Sequence, residues 1–159
     1  MTGSSPQTRG KFDGRGLTIA IVAASFNQRI VSQLLEGALA CLQGHGVDPG
    51  NTHVVRVPGA WEIPQGLEEV AALGKADALI ALGAVVRGET PHFDYICAEC
   101  SRGVGRVASK YRVPVAFGVL TCETSQQAEE RAGGKLGNKG HEAALAALEM
   151  ASLLQQLRS

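Results

Sequence analysis

Residues 83–95 of the chain read GAVVRGETPHFDY. An apolar run stops at Gly88, and Thr90, Pro91 and His92 follow at once. The spacing is that of a strand passing into a helix. Thr90 suits an N-cap, and Pro91 suits the first helical position, where its missing N–H costs nothing. That is ordinary helix punctuation, and it is also the chemistry of an anion site. Gly88 lets a ligand approach the backbone closely, and the free N–H groups and dipole of a helix start favour negative charge. His92 falls in the first turn, where the dipole favours the neutral ring. A neutral imidazole can take up or release a proton. Alone, His92 is as readily a surface residue as a functional one. An anion corner beside it tips the balance towards proton transfer.

Three further segments carry unusual residues. In SFN, Phe26 follows an apolar run at a place where a turn residue is expected. Core packing is the default reading, and a platform for a flat ring is the sharper one. In PGAWEIP, Glu62 stands in a first helical turn, where a carboxylate suits the dipole and is equally able to hold substrate hydroxyls. Pro64 is tolerated in the same turn. In ERAGGKLGNKGHEAA, Arg131, Lys135 and Lys139 surround two Gly-rich turns. Asn138 suits the cap of the last helix, which leaves Lys139 at its first position with the wrong sign for the dipole. A surface lysine tolerates this in water. Beside a phosphate it is favourable, and Arg131 can fork onto the same group.

Positioning these residues requires a framework, and the apolar pattern supplies one. Strand-length runs occupy 17–23, 53–57, 78–86 and 114–120. The first, third and fourth are near-continuous, which marks strands buried on both faces of a parallel sheet. Helical stripes lie between them: Ile30, Val31, Leu34, Leu35, Ala38 and Leu42; then Leu67, Val70, Ala71 and Leu73; then Ile96, Cys100, Val104, Val107 and Tyr111. A last helix runs from about Asn138 to Leu157. The alternation predicts an α/β doubly wound sheet with right-handed crossovers. In such sheets ligands bind beyond the carboxyl ends of the strands, and ASFNQ, PGAWEIP, RGETPHFD and TCET, which follow the four strands, gather the odd residues at that edge. Strand one lacks the glycine patterns of dinucleotide and nucleoside triphosphate sites. The last helix is rich in Ala and Leu around much of its circumference, which predicts a subunit contact beyond the face that covers the sheet.

Composition narrows the class. The chain has 159 residues, with 15 basic and 15 acidic side chains, and no basic patch argues for nucleic acid. Its apolar runs are far shorter than the ~20 residues of a membrane span. Residues 1–16 carry no apolar stretch of a secretory signal and read as a flexible polar arm before a single domain, 17–159. The four cysteines are scattered and suggest reduced thiols in a cytoplasmic protein. Cys97 and Cys100 form a lone C-x-x-C inside a predicted helix with no histidine at ligand spacing, so core packing is favoured over redox or zinc chemistry.

Taken together, SFN, VPGAWEIP, ALGAVVRGETPHFDYI, AFGVLT and RAGGKLGNKGHEAA resemble the lumazine synthase family, in order and spacing from about Leu17 to Leu157. The resemblance implies a flavodoxin-like three-layer sandwich with a central four-stranded parallel sheet flanked by helices. It implies a transferase of riboflavin biosynthesis, which condenses 5-amino-6-(D-ribitylamino)pyrimidine-2,4-dione with 3,4-dihydroxy-2-butanone 4-phosphate. The products are 6,7-dimethyl-8-ribityllumazine, phosphate and water. No metal or organic cofactor is expected. Carried onto this chain, Phe26 stacks on the pyrimidine ring, while Asn27, Ala60, Trp61 and Glu62 line the ribityl side. Val85 and Val86 add strand-edge contacts. Gly88, Glu89 and Thr90 cradle phosphate with Arg131. His92 shuttles protons, and Lys139 adds charge. Phe117 and Arg131 reach in from a neighbouring subunit of a pentamer. Among similar proteins, those that stay pentamers often carry a longer turn between the positions of Arg131 and Lys139. The short form here resembles members that close into icosahedral shells of about sixty subunits. Riboflavin synthase is an implied macromolecular partner. The alternatives are a structural shell, or a flavin- or lumazine-binding protein without catalysis. The former fails a turnover assay, and the latter holds a yellow ligand without turning over.

Overall fold

A computed structural model describes residues 3–159. Its elements alternate along the chain: β1 (Ile19–Ala24), α1 (Gln28–Gly44), β2 (Thr52–Val57), α2 (Ile63–Ala72), β3 (Ala78–Val86), α3 (His92–Tyr111), β4 (Val115–Cys122), α4 (Ser125–Arg131) and α5 (Lys139–Arg158). Two short 3-10 turns, Pro49–Asn51 and Ala60–Glu62, precede β2 and α2. The four strands form one parallel sheet in the order β2-β1-β3-β4. Ile19 is level with Thr52 on one side and Ala78 on the other.

Every residue of β1 is buried, as are the first seven of β3, which accounts for their unbroken apolar sequence. On one face Ile19, Ile21, Ile80 and Leu82 pack against Leu34 and Leu42 of α1 and Ala144 and Leu148 of α5. On the other, Val22, Leu79 and Ala81 pack against Ile63 and Leu67 of α2 and Val104 and Val107 of α3. The result is the three-layer α/β fold that the strand–helix alternation predicts. Small residues let neighbouring helices of each layer approach closely. Gly140, in the first turn of α5, lies directly against the Leu34 carbonyl of α1, and Gly103 of α3 lies against the Pro64 ring, so a side chain at either place meets occupied space.

Several expectations are corrected. The fourth strand is only partly buried on one of its faces: Val119 reaches that core, but β4 is a sheet edge, and Phe117 and Thr121 stand exposed along it. Leu73 leaves the apolar stripe of α2; it sits at the helix C-cap and is exposed because Gly74, at φ 67°, turns the chain there. α4 has no apolar periodicity to announce it. Only Ala128 of its residues is buried, and the Thr124 side chain caps it by accepting from the Gln127 N–H. The two Gly-rich turns form a small antiparallel hairpin of β5 (Ala132–Gly134) and β6 (Gly137–Asn138), with Gly133 and Gly137 at positive φ.

Residues 3–14 carry no helix or strand; Arg9–Lys11 lie against α5, and Gly14 pairs with His45 after α1. The Lys11 N–H donates to Ser152 Oγ at 2.9 Å, and Gln156 Nε2 donates to the Arg9 carbonyl at 2.6 Å. On α3, Cys100 packs into the core beside Val104 and Val107. Burial, and then the Cys97 thiol, push its pKa up to about 11, the opposite of a reactive cysteine.

Candidate active site

The chain leaves β1 through α1 to reach β2 on one side, then passes from β2 through α2 to β3 on the other side of β1. The β1–β3 boundary is therefore the topological switch point, where such sheets open a crevice at their carboxyl ends. A cleft of about 850 Å³ lies there, lined by the segments that follow β1 and β2, the end of β3 and the start of α3.

The turn out of β1 is shaped by backbone pairing. Ser25 and Phe26 donate their N–H groups to the Val57 and Pro58 carbonyls, so the β1–β2 ladder runs past its last formal strand residues. Asn27 then turns the chain with left-handed backbone, φ 59°. Asn tolerates this conformation better than most residues. As the residue before α1, Asn27 is of cap type, yet its side chain does not cap its own helix. It donates across the sheet to the Ala84 carbonyl of β3 at 2.7 Å. Phe26 is left 72% exposed, which overturns core packing as its role. Trp61, in the turn after β2, is 54% exposed, and Tyr95, on the first turn of α3, is 70% exposed. Three aromatic faces open on one cleft are a surface for a flat, partly apolar ligand.

Ala60 is buried at the base of the 3-10 turn. The Glu62 carboxylate lies over Gly59 at the cleft wall. Val85 and Val86, half-buried at the end of β3, form the floor between these walls.

The corner beyond β3 is as open as a ligand seat requires. Gly88 is exposed, and nothing in the chain stands within 4 Å of where its Cβ would be. The helix begins at His92, one residue later than the cap assignment implies. Pro91 takes the cap position, and the Thr90 hydroxyl accepts weakly from the His92 N–H at 3.4 Å. Gly88, Thr90 and His92 line the cleft, whereas Glu89 is exposed and does not.

Phe117, Arg131 and Lys139 are elsewhere. They line a second cleft of about 510 Å³ along the free edge of β4, with Thr121, Gln127, Leu136 and Glu142. The two clefts share no residue. Arg131 is steadied there by donating from Nη1 to the Gln127 carbonyl at 3.0 Å, and its guanidinium lies 3.7 Å from the Glu130 carboxylate. Lys139 opens α5 as expected, with the Asn138 side chain capping the helix by accepting from the Gly140 and His141 N–H groups. One copy of the chain thus places Phe26, Asn27, Ala60, Trp61, Glu62, Val85, Val86, Gly88, Thr90 and His92 together, and sets Phe117, Arg131 and Lys139 apart.

Sequence reasoning missed Pro58, Gly59, Ala84, Phe93, Tyr95 and Ile96, which also line the first cleft. The signal for the last two was present. Positions three and four after His92 share its helix face, so a functional His92 implied them.

Comparison with known proteins identifies the family of the chain. Residues 16–155 match the family described as 6,7-dimethyl-8-ribityllumazine synthase. The 6,7-dimethyl-8-ribityllumazine synthase of Desulfovibrio desulfuricans is 51% identical over 148 residues, which cover 93% of this chain and 95% of that one.

Proposed function

Because the chain belongs to the 6,7-dimethyl-8-ribityllumazine synthase family, we propose that the cleft at the β1–β3 boundary is where it performs that family's reaction. The protein is an enzyme of riboflavin biosynthesis. It condenses 5-amino-6-(D-ribitylamino)pyrimidine-2,4-dione with 3,4-dihydroxy-2-butanone 4-phosphate to give 6,7-dimethyl-8-ribityllumazine, phosphate and water.

The observation that carries the site assignment is the meeting of an aromatic wall and an open helix-start corner, with His92 belonging to the corner. Phe26 offers the pyrimidinedione a stacking face, and Trp61 and Glu62 take the ribityl chain, whose hydroxyls suit a carboxylate. Gly88 and Thr90 seat the phosphate, and Glu89, outside the cleft wall, contributes backbone only. The ring amine then faces the ketone. Imine formation loses water and needs a proton delivered to the departing oxygen. Phosphate loss needs a proton removed from the carbon beside the imine and an anionic leaving group held in place. Closure of the second ring loses water again. His92 serves as the group that moves these protons. Holding amine and ketone together supplies much of the acceleration.

The same reading makes the working unit an oligomer. A phosphate held only by N–H groups lacks a compensating cation, and Arg131 and Lys139 lie in the other cleft of their own chain. In a pentamer, the second cleft of a neighbour brings Phe117, Arg131 and Lys139 to the first. Among the described residues no helix is long and apolar enough to cross a membrane. The four free thiols fit a reducing compartment, so the cytoplasm is the proposed location, with riboflavin synthase as the partner that uses the product.

Mixing both substrates with purified protein tests the reading. Absorbance of the lumazine product grows at a rate proportional to enzyme. A bound yellow chromophore without turnover overturns it in favour of a carrier.

A further inference from the structure

Arg87, the last residue before the phosphate corner, lines neither cleft. Its backbone N–H donates to the Cys122 carbonyl at 2.9 Å, fixing the end of β3 to the end of β4. Its side chain reaches across the loop that it begins. Nη2 and Nη1 lie 3.0 and 3.4 Å from the two carboxylate oxygens of Asp94 in the first turn of α3. Nε donates to Glu123 Oε2 at 2.7 Å, in the segment leading to α4. The guanidinium also sits 4.4 Å from the centroid of the Phe93 ring, which is buried at the wall of the first cleft. Residues 88–91 are therefore bracketed: one residue holds both the strand they leave and the helix they enter. The hydrogen bonds to Asp94, then Glu123, hold the guanidinium above its ordinary range. No flexible lysine satisfies this geometry, because both carboxylates and the ring face need a planar fork.

We propose that Arg87 is a positioning residue for the reaction: by clamping Asp94, Glu123 and Phe93 it sets the backbone of Gly88–Thr90 and the entry of His92, and so tunes phosphate affinity without touching phosphate. The inference rests on the phosphate reading of the corner. A guanidinium committed to two carboxylates is not a free cation for a ligand. It acts through the loop whose ends it joins.

Steady-state kinetics of the wild type, Arg87→Ala, Arg87→Lys and the double variant Asp94→Asn/Glu123→Gln test it. The readouts are kcat, the KM of each substrate, and inhibition by inorganic phosphate against the phosphorylated substrate. Arg87→Ala raises the KM of the phosphorylated substrate and the phosphate inhibition constant about tenfold, and leaves the pyrimidine KM within about twofold. Arg87→Lys recovers only part of the loss. The double variant, which keeps the arginine and frees it, weakens phosphate in the same direction and stands in for Arg87→Ala if that variant fails to fold. Tighter phosphate binding by the double variant overturns the proposal, since it makes Arg87 a direct ligand. Equal weakening of both substrates, or unchanged constants, also overturns it. A wild type that inorganic phosphate does not inhibit competitively overturns the phosphate reading itself, a different failure.

Discussion

The Asn27 side-chain amide and the Ala84 carbonyl, 2.7 Å apart, join the ends of β1 and β3 across the floor of the cleft at their boundary. The bond helps fix the turn that presents Phe26, in which the Asn27 backbone is left-handed. Two substitutions separate the contributions. Asn27→Gly keeps the backbone conformation and loses the bridge. Asn27→Ala loses the bridge and adds left-handed strain, so it unfolds more readily than the glycine variant by about 1 kcal/mol. Both raise the KM of the pyrimidine more than that of the phosphorylated substrate. Thermal unfolding and kinetics of the pair decide this, and equal stability of the two variants contradicts the strain argument.

His92 begins α3 at the cleft wall and is exposed, so its removal leaves packing intact. His92→Ala lowers kcat by roughly ten- to a thousandfold, a modest loss because proximity of the substrates persists. Its far-UV circular dichroism and melting match the wild type. A variant that turns over at the wild-type rate removes His92 from the mechanism.

Phe26 and Arg131 belong to different clefts of one chain and, in the proposed assembly, to opposite ends of one bound substrate pair. Their losses then carry opposite signatures. Phe26→Ala weakens the pyrimidine about tenfold and spares the phosphorylated substrate, because a stacking face is lost and no charge. Arg131→Ala weakens the phosphorylated substrate roughly ten- to a hundredfold and spares the pyrimidine. Arg131→Lys restores charge but not the planar fork, so recovery is partial. Titration calorimetry with each substrate alone reads both biases. Equal losses for the two ligands in either variant contradict the assignment.

The layers were legible because burial on both faces writes itself as unbroken apolar sequence, as in Ile19–Ala24 and Ala78–Ala84, alternating with helical stripes. β4 was legible as a strand but not as an edge, since Phe117 is apolar and yet exposed. α4 was illegible because its stability owes little to an apolar face; the Thr124 cap and one buried alanine do not make a period. At the site, Gly88, Thr90 and His92 could be read from one corner because local turn chemistry and ligand chemistry coincide there. The exposure of Phe26 could not be read from the residue, since the Asn27 turn that causes it depends on a carbonyl 57 positions away. The Arg87 clamp was hidden for the same reason: Glu123 is 36 residues distant, and only the β3–β4 pairing brings it near.

The last prediction concerns assembly. On α5, Ala146, Met150, Leu153 and Leu157 recur at spacings of four, three and four and so share a face. Met150 is 41% and Leu157 62% exposed in the single chain, an apolar stripe that water does not favour. In the proposed reaction the separation of Arg131 and Lys139 from His92 makes the same demand for a second copy, since neither cleft alone holds both the proposed proton carrier and the cations. A pentamer is thus the smallest active unit proposed. The next level turns on the hairpin between α4 and α5. It spans only residues 132–138, closes through Gly133 and Gly137, and hands the chain straight to α5, whose first turn is pressed against α1 at Gly140. With no slack at that junction the outer end of α5 keeps one direction, as a contact repeated between pentamers requires. Twelvefold repetition of identical pentamers closes without an open contact. The expected particle is a hollow icosahedral shell of about a megadalton, built from chains of 16.6 kDa. Light scattering at several ionic strengths measures it. Lengthening the hairpin by a few residues leaves active pentamers and no shells. A mass near a single pentamer for the unaltered chain under all conditions sinks the shell and leaves the enzyme standing.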